Sequence, residues 1–449
     1  MRASSTAGAA GAAGPAKPPD PRVAEIARER NPLVRLLRIL GPGFITGASD
    51  DDPSGIATYA SAGAAFGFGM LWTALLTVPL MTAVQYICAK IGLVTGKGLA
   101  GVLREHYPRP LLYAAVGALL VANTINVGAD LGAIAAAVNL LVPAIPPAPL
   151  VLPIALAILA IQVFGSYRRI VGVFQWLALA LVGYIGAAIL SKPDLGAVLA
   201  GTLVPQVSLD RSVLMMLVAI LGTTISPYLF FWQADHEVEE QISIGRRRLW
   251  QRQGATDREL RYAGIDVTAG MVFSNLVMYF VILATGATLH QAGHTEIASA
   301  TEAAEALRPL AGDLAAALLG IGLIGGGVLA VPILSASAAY ALSEAAGWPY
   351  GLDRNPGRAK QFYAVIAVAT VVGVAINYLG INPIEALVVT ATINGLVAPP
   401  ILALLLVISG NRRIMGARVN ARPTAIAGWL AFAAMATAAV LLVVLSVAG

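Results

Sequence analysis

The chain has 449 residues, of which 58% are hydrophobic and only 12% charged. Soluble domains carry about twice that share of charge, which excludes the soluble globular class. The net charge of +5 reads, in a chain this apolar, as basic loops on one membrane face and not as nucleic-acid binding, and the single cysteine, Cys88, excludes a disulfide framework and a cysteine-based zinc site.

The stretch from Met1 to about Asp20 is rich in Ala, Gly and Pro, the composition of a disordered segment. Residues 1–30 are read as a disordered cytoplasmic tail. The first apolar run starts late, so no cleavable signal peptide is expected. Windows of roughly 19 to 20 residues then give eleven candidate membrane spans. They lie at 34–60, 67–93, 111–141, 148–165, 170–191, 212–235, 264–288, 310–342, 360–379, 384–409 and 424–447. Lysine and arginine gather in the tail and after spans two, four, six, eight and ten, as in "GRRRLWQRQGATDRELR" after span six; the loop after span seven is acidic. That alternation predicts a cytoplasmic N-terminus and, with an odd count, a C-terminus outside. A prokaryotic plasma membrane is the expected location.

Span one contains "GASDDDPSGIATYA", starting at Gly47. Pro53 in mid-span removes a helical hydrogen bond and clashes with the preceding turn, and Ser54 and Gly55 follow it. Span six repeats the device in "LGTTISPYLFFWQ", where Thr223, Thr224 and Ser226 precede Pro227. One proline in a span is more often a kink than a site. Two at corresponding places in successive sets of five spans, one beside carboxylates, point to paired discontinuous helices in a carrier. An odd number of spans per set inverts the second set. The predicted fold is an all-α integral membrane protein of about eleven transmembrane helices, a LeuT-type 5+5 inverted repeat with helices 1 and 6 discontinuous. The first repeat covers 31–200 and the inverted second repeat 201–410; 411–449 holds a cytoplasmic loop and an additional span.

Unwound carbonyls and carboxylates are hard ligands suited to hard cations. Asp52 directly precedes the break and is the first candidate metal ligand. Asp50, Asp51 and Asp52 point in different directions, so three carboxylates are not expected on one ion. Asp51 is placed in the cavity or its approach, level with a plainer role as a helix cap or ion-pair partner; for Asp50 the plainer role is preferred. In span three, Asp130 in "VANTINVGADLGAIAAA" lies seven residues after Asn123, on the same helical face. The two are candidates for a polar track for ions or protons, against the alternative of a polar pair that packs helices. Thr390, Thr392 and Asn394 of span ten could face the same cavity, with helix–helix hydrogen bonding the alternative. His290 and His294 read as surface histidines, and His236, Glu237, Glu239 and Glu240 as a solvated helix end.

The motif "GPGFITGASDDDPSGIAT" resembles the first-helix signature of the NRAMP divalent-metal transporters, "GPGF", seven residues, then "DPGN". "GTTISPYLFFWQ" is similar to their sixth-helix signature around "MPHN". The resemblance covers nearly the whole chain. It implies that Asp52 falls on the family's metal-binding aspartate, Gly55 on its asparagine, Ser226 on its methionine, and Thr223 on the residue offering a backbone carbonyl. Tyr228 and Gln233 fall on two histidines linked to proton movement, Asn123 on a glutamate and Asp130 on an aspartate of the proton route. The departures matter. Serine for a soft thioether, and glycine for an amide, leave a site with few protein ligands and room for water, which suits magnesium. The family's magnesium-transporting branch carries such replacements. Loss of both histidines and the glutamate implies weak or absent proton coupling.

The expected function is thus alternating-access transport of Mg2+, with Mn2+ tolerated, by a monomer whose partners are the lipid membrane and divalent metal ions, with no cofactor. The alternatives are a proton-coupled Mn2+/Fe2+ transporter, a LeuT-type carrier of a cationic organic substrate, a channel and, on poor motif grounds, an intramembrane aspartyl protease using Asp52 and Asp130.

Overall fold

The computed structural model describes residues 17–164, 183–297, 299–305, 312, 315–352 and 354–448. Among these, nine helical segments are long and apolar enough to cross a membrane: Trp72–Thr95, Arg109–Leu141, Pro147–Phe164, Arg211–Ser243, Asp257–His290, Ala315–Ala346, Lys360–Asn377, Pro383–Gly410 and Arg422–Val447. They correspond to expected spans two to four and six to eleven. Span one crosses as two halves, Pro42–Asp50 and Pro53–Phe66. Of the expected span five, the helix Gly183–Leu190 is described; residues 170–182 of it lie outside the described residues.

Span one begins at Pro42 and not at residue 34. Asn31 accepts from Leu33 N–H (3.0 Å) and Val34 N–H (3.4 Å), and with Pro32 it starts a separate helix, Pro32–Ile39. Proline at the first helical position is preorganised for a start; Gly41 and Pro42 then end one helix and open the next. Part of the expected tail is also structured. Asp20 caps a helix at Pro21–Arg28. Lys17 pairs with Glu259 at 3.2 Å, Arg246 donates to the Pro18 carbonyl at 2.6 Å, and Arg22 pairs with Glu240. These ties offset the entropy that composition alone leaves unopposed.

The packing carries the inverted repeat. Span three lies along span eight and span two along span seven. The trailing half of span one packs on span seven, and the trailing half of span six on span two; span three meets spans four and nine, and span eight meets spans nine and four. Advancing every partner by five maps each of these pairings onto another or onto itself.

The seam between the leading half of span one and span seven runs through Gly43, Gly47 and Gly270. A Cβ on Gly47 would overlap the Gly270 backbone, and one on Gly43 would lie 2.5 Å from Val267 N. Small residues let membrane helices approach this closely. Asp266 of span seven secures the end of the same half-helix, accepting from Gly41 N–H (2.7 Å), Gly43 N–H (2.7 Å) and Phe44 N–H (3.0 Å). Gly47→Leu should therefore lower stability by at least the ~1–3 kcal/mol typical of overpacking, read as an earlier thermal transition in detergent. Gly117→Ala, inside a helix where a Cβ meets nothing within 4 Å, should not lower it.

Candidate metal centre

Both breaks are built the same way. In span one the helix stops at Asp50, Asp51 takes φ −81°, ψ 49°, and extended Asp52 restarts it with Pro53 in the first turn. In span six the helix stops at Thr224, Ile225 takes φ −114°, ψ 59°, and extended Ser226 restarts it with Pro227. The prolines do not kink running helices. They sit where the missing N–H costs nothing.

Asp52 is itself the cap of the trailing half of span one. Its Oδ1 accepts from Gly55 N–H (2.7 Å) and Ser54 Oγ (2.8 Å). Its Oδ2 accepts from Asn126 Nδ2 at 3.3 Å, and that amide also donates to Asp130 Oδ2 at 3.0 Å. Asn394 Nδ2 donates to Asn126 Oδ1 at 3.0 Å. Gly55 faces span six: a Cβ there would lie 3.0 Å from Asp50 O, 3.2 Å from Thr223 Oγ1 and 3.4 Å from Asp52 Oδ1. Asp52, Gly55 and Thr223 therefore converge, with Asn394 and Asp130 linked to them through Asn126. Ser226, the cap residue of span six, is fully buried and its Oγ has no hydrogen-bond partner among the described residues.

Other candidates are held elsewhere. Asp50 Oδ2 accepts from Ser274 Oγ at 2.5 Å and Asp51 Oδ1 from the same hydroxyl at 3.3 Å, which turns both toward span seven. Neither caps the trailing half-helix or pairs with a basic side chain among the described residues. Tyr228 OH donates to Ser49 O at 3.2 Å, tying span six to span one. Gln233 donates to Glu237 Oε1 at 3.1 Å, two turns beyond the break. Asn123 is not part of the hydrogen-bonded chain with Asp130; its amide donates to Leu334 O at 2.9 Å and ties span three to span eight. Thr390 and Thr392 donate to carbonyls of their own helix, Ala386 O and Val388 O. His290 is half-buried against Ala64 O (2.7 Å). The end of span six is not a solvated helix end: Asp235 and Glu237 are buried, because the helix continues to Ser243 against spans two and eight.

Sequence reading missed Asn126, which lies four residues before Asp130 and so on its helical face; that spacing was available as a signal. It also missed the local bond of Ser54 to Asp52, two residues back, and Ser274, whose role depends on which helix stands opposite.

Asp50, Asp51, Asp52 and Asp130 are each 1% exposed or less. Among the described residues no lysine or arginine forms an ion pair with any of them. Asp50 Oδ1, Asp51 Oδ2 and Asp130 Oδ1 have no hydrogen-bond partner among the described residues. Buried carboxylates left this way are costly unless a cation or proton joins them. Among the described residues no three His, Cys, Asp or Glu side chains cluster closely enough to hold a metal ion. An ion beside Asp52 would complete its shell with uncharged oxygens and water.

The family model described as "Natural resistance-associated macrophage protein-like", Nramp, matches residues 43–445. The chain belongs to the Nramp family. The divalent metal cation transporter MntH of Yersinia pestis (strain Pestoides F) is 28% identical over 411 residues, covering 89% of this chain and 93% of that protein. MntH of Pectobacterium carotovorum is 26% identical over 407 residues, covering 89% and 92%. These relatives are named as transporters, and the protease alternative falls with that. The fold matches the Eremococcus coleocola manganese transporter, with TM-score 0.69 at 19% identity over 93% of this chain and 87% of that one. It also matches MHP1, a nucleobase-cation-symport-1 family transporter, with TM-score 0.55 at 14% identity over 89% and 93%. The inverted-repeat architecture is thus that of Nramp and LeuT-fold carriers, and the chain is an integral membrane protein.

Removing an outer partner of a metal ligand typically costs about 10–100-fold in affinity. Asn126→Ala should weaken metal binding at the Asp52 centre by about that factor, measured by titration of the purified protein, while Thr392→Ala leaves it unchanged.

Proposed function

We propose that this chain is an alternating-access carrier of divalent cations, with Mg2+ its main cargo, Mn2+ tolerated and little or no proton coupling. The observation that carries the reading is the donor set at the two breaks. Asp52, the Thr223 carbonyl, the backbone near Gly55 and the unpartnered hydroxyl of Ser226 are all hard oxygens, without thioether or imidazole. A hard set with a single close carboxylate suits an ion that keeps several of its waters. The magnesium branch of the Nramp family is the assignment that follows. The protein works as a monomer in a prokaryotic plasma membrane, with its N-terminus in the cytoplasm and its C-terminus outside.

A second reading rests on a specific contact. Asn126 bridges Asp52 to Asp130, a link along which metal binding at one carboxylate could release a proton from the other. It favours a proton-coupled Mn2+/Fe2+ carrier, in line with the manganese transporter among the structural neighbours.

Proteoliposomes loaded with a magnesium-sensitive dye and a pH dye separate the two. The expected result is Mg2+ entry without acidification, abolished in Asp52→Ala. Acidification in step with metal entry would establish the second reading, and Mn2+ entry without Mg2+ entry would overturn the magnesium assignment.

A further inference from the structure

The end of span six holds a carboxylate that the Asp52 centre does not use. Asp235 is 1% exposed, and among the described residues neither of its oxygens has a hydrogen-bond partner. It lies nine residues past Ser226 on a continuous helix, about 13 Å away at 1.5 Å per residue. Opposite stands Glu344 of span eight, 4% exposed. Gly98 N–H (2.9 Å), Gly101 N–H (2.7 Å) and Tyr350 OH (2.9 Å) all donate to Glu344. The two carboxylates meet over Gly98: a Cβ there would overlap Asp235 Oδ1 and lie 2.5 Å from Glu344 Oε2. Glycine keeps the space between them open.

Among the described residues no lysine or arginine forms an ion pair with either carboxylate, though Lys97 and Arg252 lie near enough to act on Glu344 by charge. Lys97 pairs with Glu105, Arg104 donates to the main-chain oxygen of Glu344 (3.3 Å), and Arg252 donates to Gly96 O (2.9 Å) and Arg247 O (2.8 Å). Glu344 accepts three hydrogen bonds, the pattern of an ionised carboxylate, which is acceptor-only. The charge of Glu344, with burial, pushes the Tyr350 phenol well above its ordinary range, so it remains a donor. A cavity of about 510 Å³ lined by Glu344, Gly101, Tyr350 and Lys97, among others, reaches this carboxylate and can supply water.

Two buried carboxylates this close cannot both be ionised without a positive charge between them. Hard divalent ions are commonly held by one or two carboxylates with the rest of the shell water. We infer that Asp235 and Glu344 form a second divalent-cation site, partly hydrated and distinct from the Asp52 centre, at the far end of span six. That its occupant is the transported ion rests on the carrier reading; the site itself does not.

Equilibrium binding of Mn2+ to the purified full-length protein, counted by electron paramagnetic resonance, tests this. Wild type should hold about two ions, Asp235→Asn and Asp52→Asn about one each, and the double variant close to none. Terbium luminescence excited through Tyr350 and its aromatic neighbours should fall in Asp235→Asn and persist in Asp52→Asn. If Asp235→Asn is not recovered folded, Asp235→Ser takes its place. Equal ion counts in wild type and the Asp235 variant would overturn the inference and mean that the carboxylates share a proton. Loss of an ion in Asp235→Asn but none in Asp52→Asn would uphold this site and defeat the reading of the Asp52 centre.

Discussion

The hydrogen bonds to Asp52 are the constraint on which the centre of the molecule depends. A helix interrupted in the membrane leaves backbone N–H groups that lipid cannot satisfy. Asp52 answers one of them at Gly55 and fixes Ser54 with the same oxygen. Its other oxygen reaches span three through Asn126 and, beyond it, span ten through Asn394. One carboxylate thus determines where span one restarts, which way Gly55 faces, and how spans three and ten are registered against it. Span six has no equivalent: Ser226 makes no side-chain cap bond, and its hydroxyl is left over.

That asymmetry shapes the electrostatics. Four carboxylates are buried around one break without basic partners among the described residues, while the other break contributes uncharged oxygens. A lysine or arginine would neutralise the acids permanently and fill the space. Leaving them to serines and asparagines leaves their charge to be balanced by a cation or a proton. The Asn126 amide nitrogen, donating to both Asp52 and Asp130, holds these two carboxylates near enough to sense each other's charge.

Much of this was legible in the residues. Hydropathy located the long spans, because a membrane helix must be apolar over its whole length. Pro53 and Pro227 marked both breaks because small polar or acidic residues stand beside each at corresponding places; proline alone does not, since Pro79, Pro153, Pro332, Pro399 and Pro400 lie inside continuous helices. The convergence of Asp52, Gly55 and Thr223 follows from pairing those breaks. The start of span one was misjudged because Leu33 to Leu40 is apolar enough to belong to the membrane, and only the cap at Asn31 and the turn at Gly41 separate it. Ser274 could not be assigned partners because they lie on another span, and of the partners of Asn126 only Asp130 lies on its own helix; Asp52 and Asn394 do not. Asn123 was paired with Asp130 on the strength of a shared face, yet its amide turns to Leu334. Periodicity gives the face of a helix; it does not give the rotamer or the neighbour.

The glycine seam between span one and span seven bears on motion. Contact there is backbone against backbone, at Gly43, Gly47 and Gly270. Packed side chains can absorb small sliding shifts by changing rotamer; main chain has no such reserve. The nine-residue leading half of span one, clamped at its start by Asp266, is therefore coupled to span seven as a single stiff body. Compliance is confined to its two ends, the turn at Gly41 and the non-helical residue Asp51. A conformational cycle in this molecule has to pivot at those two points, and the second of them adjoins Asp52, so any pivot there also reorients the carboxylate.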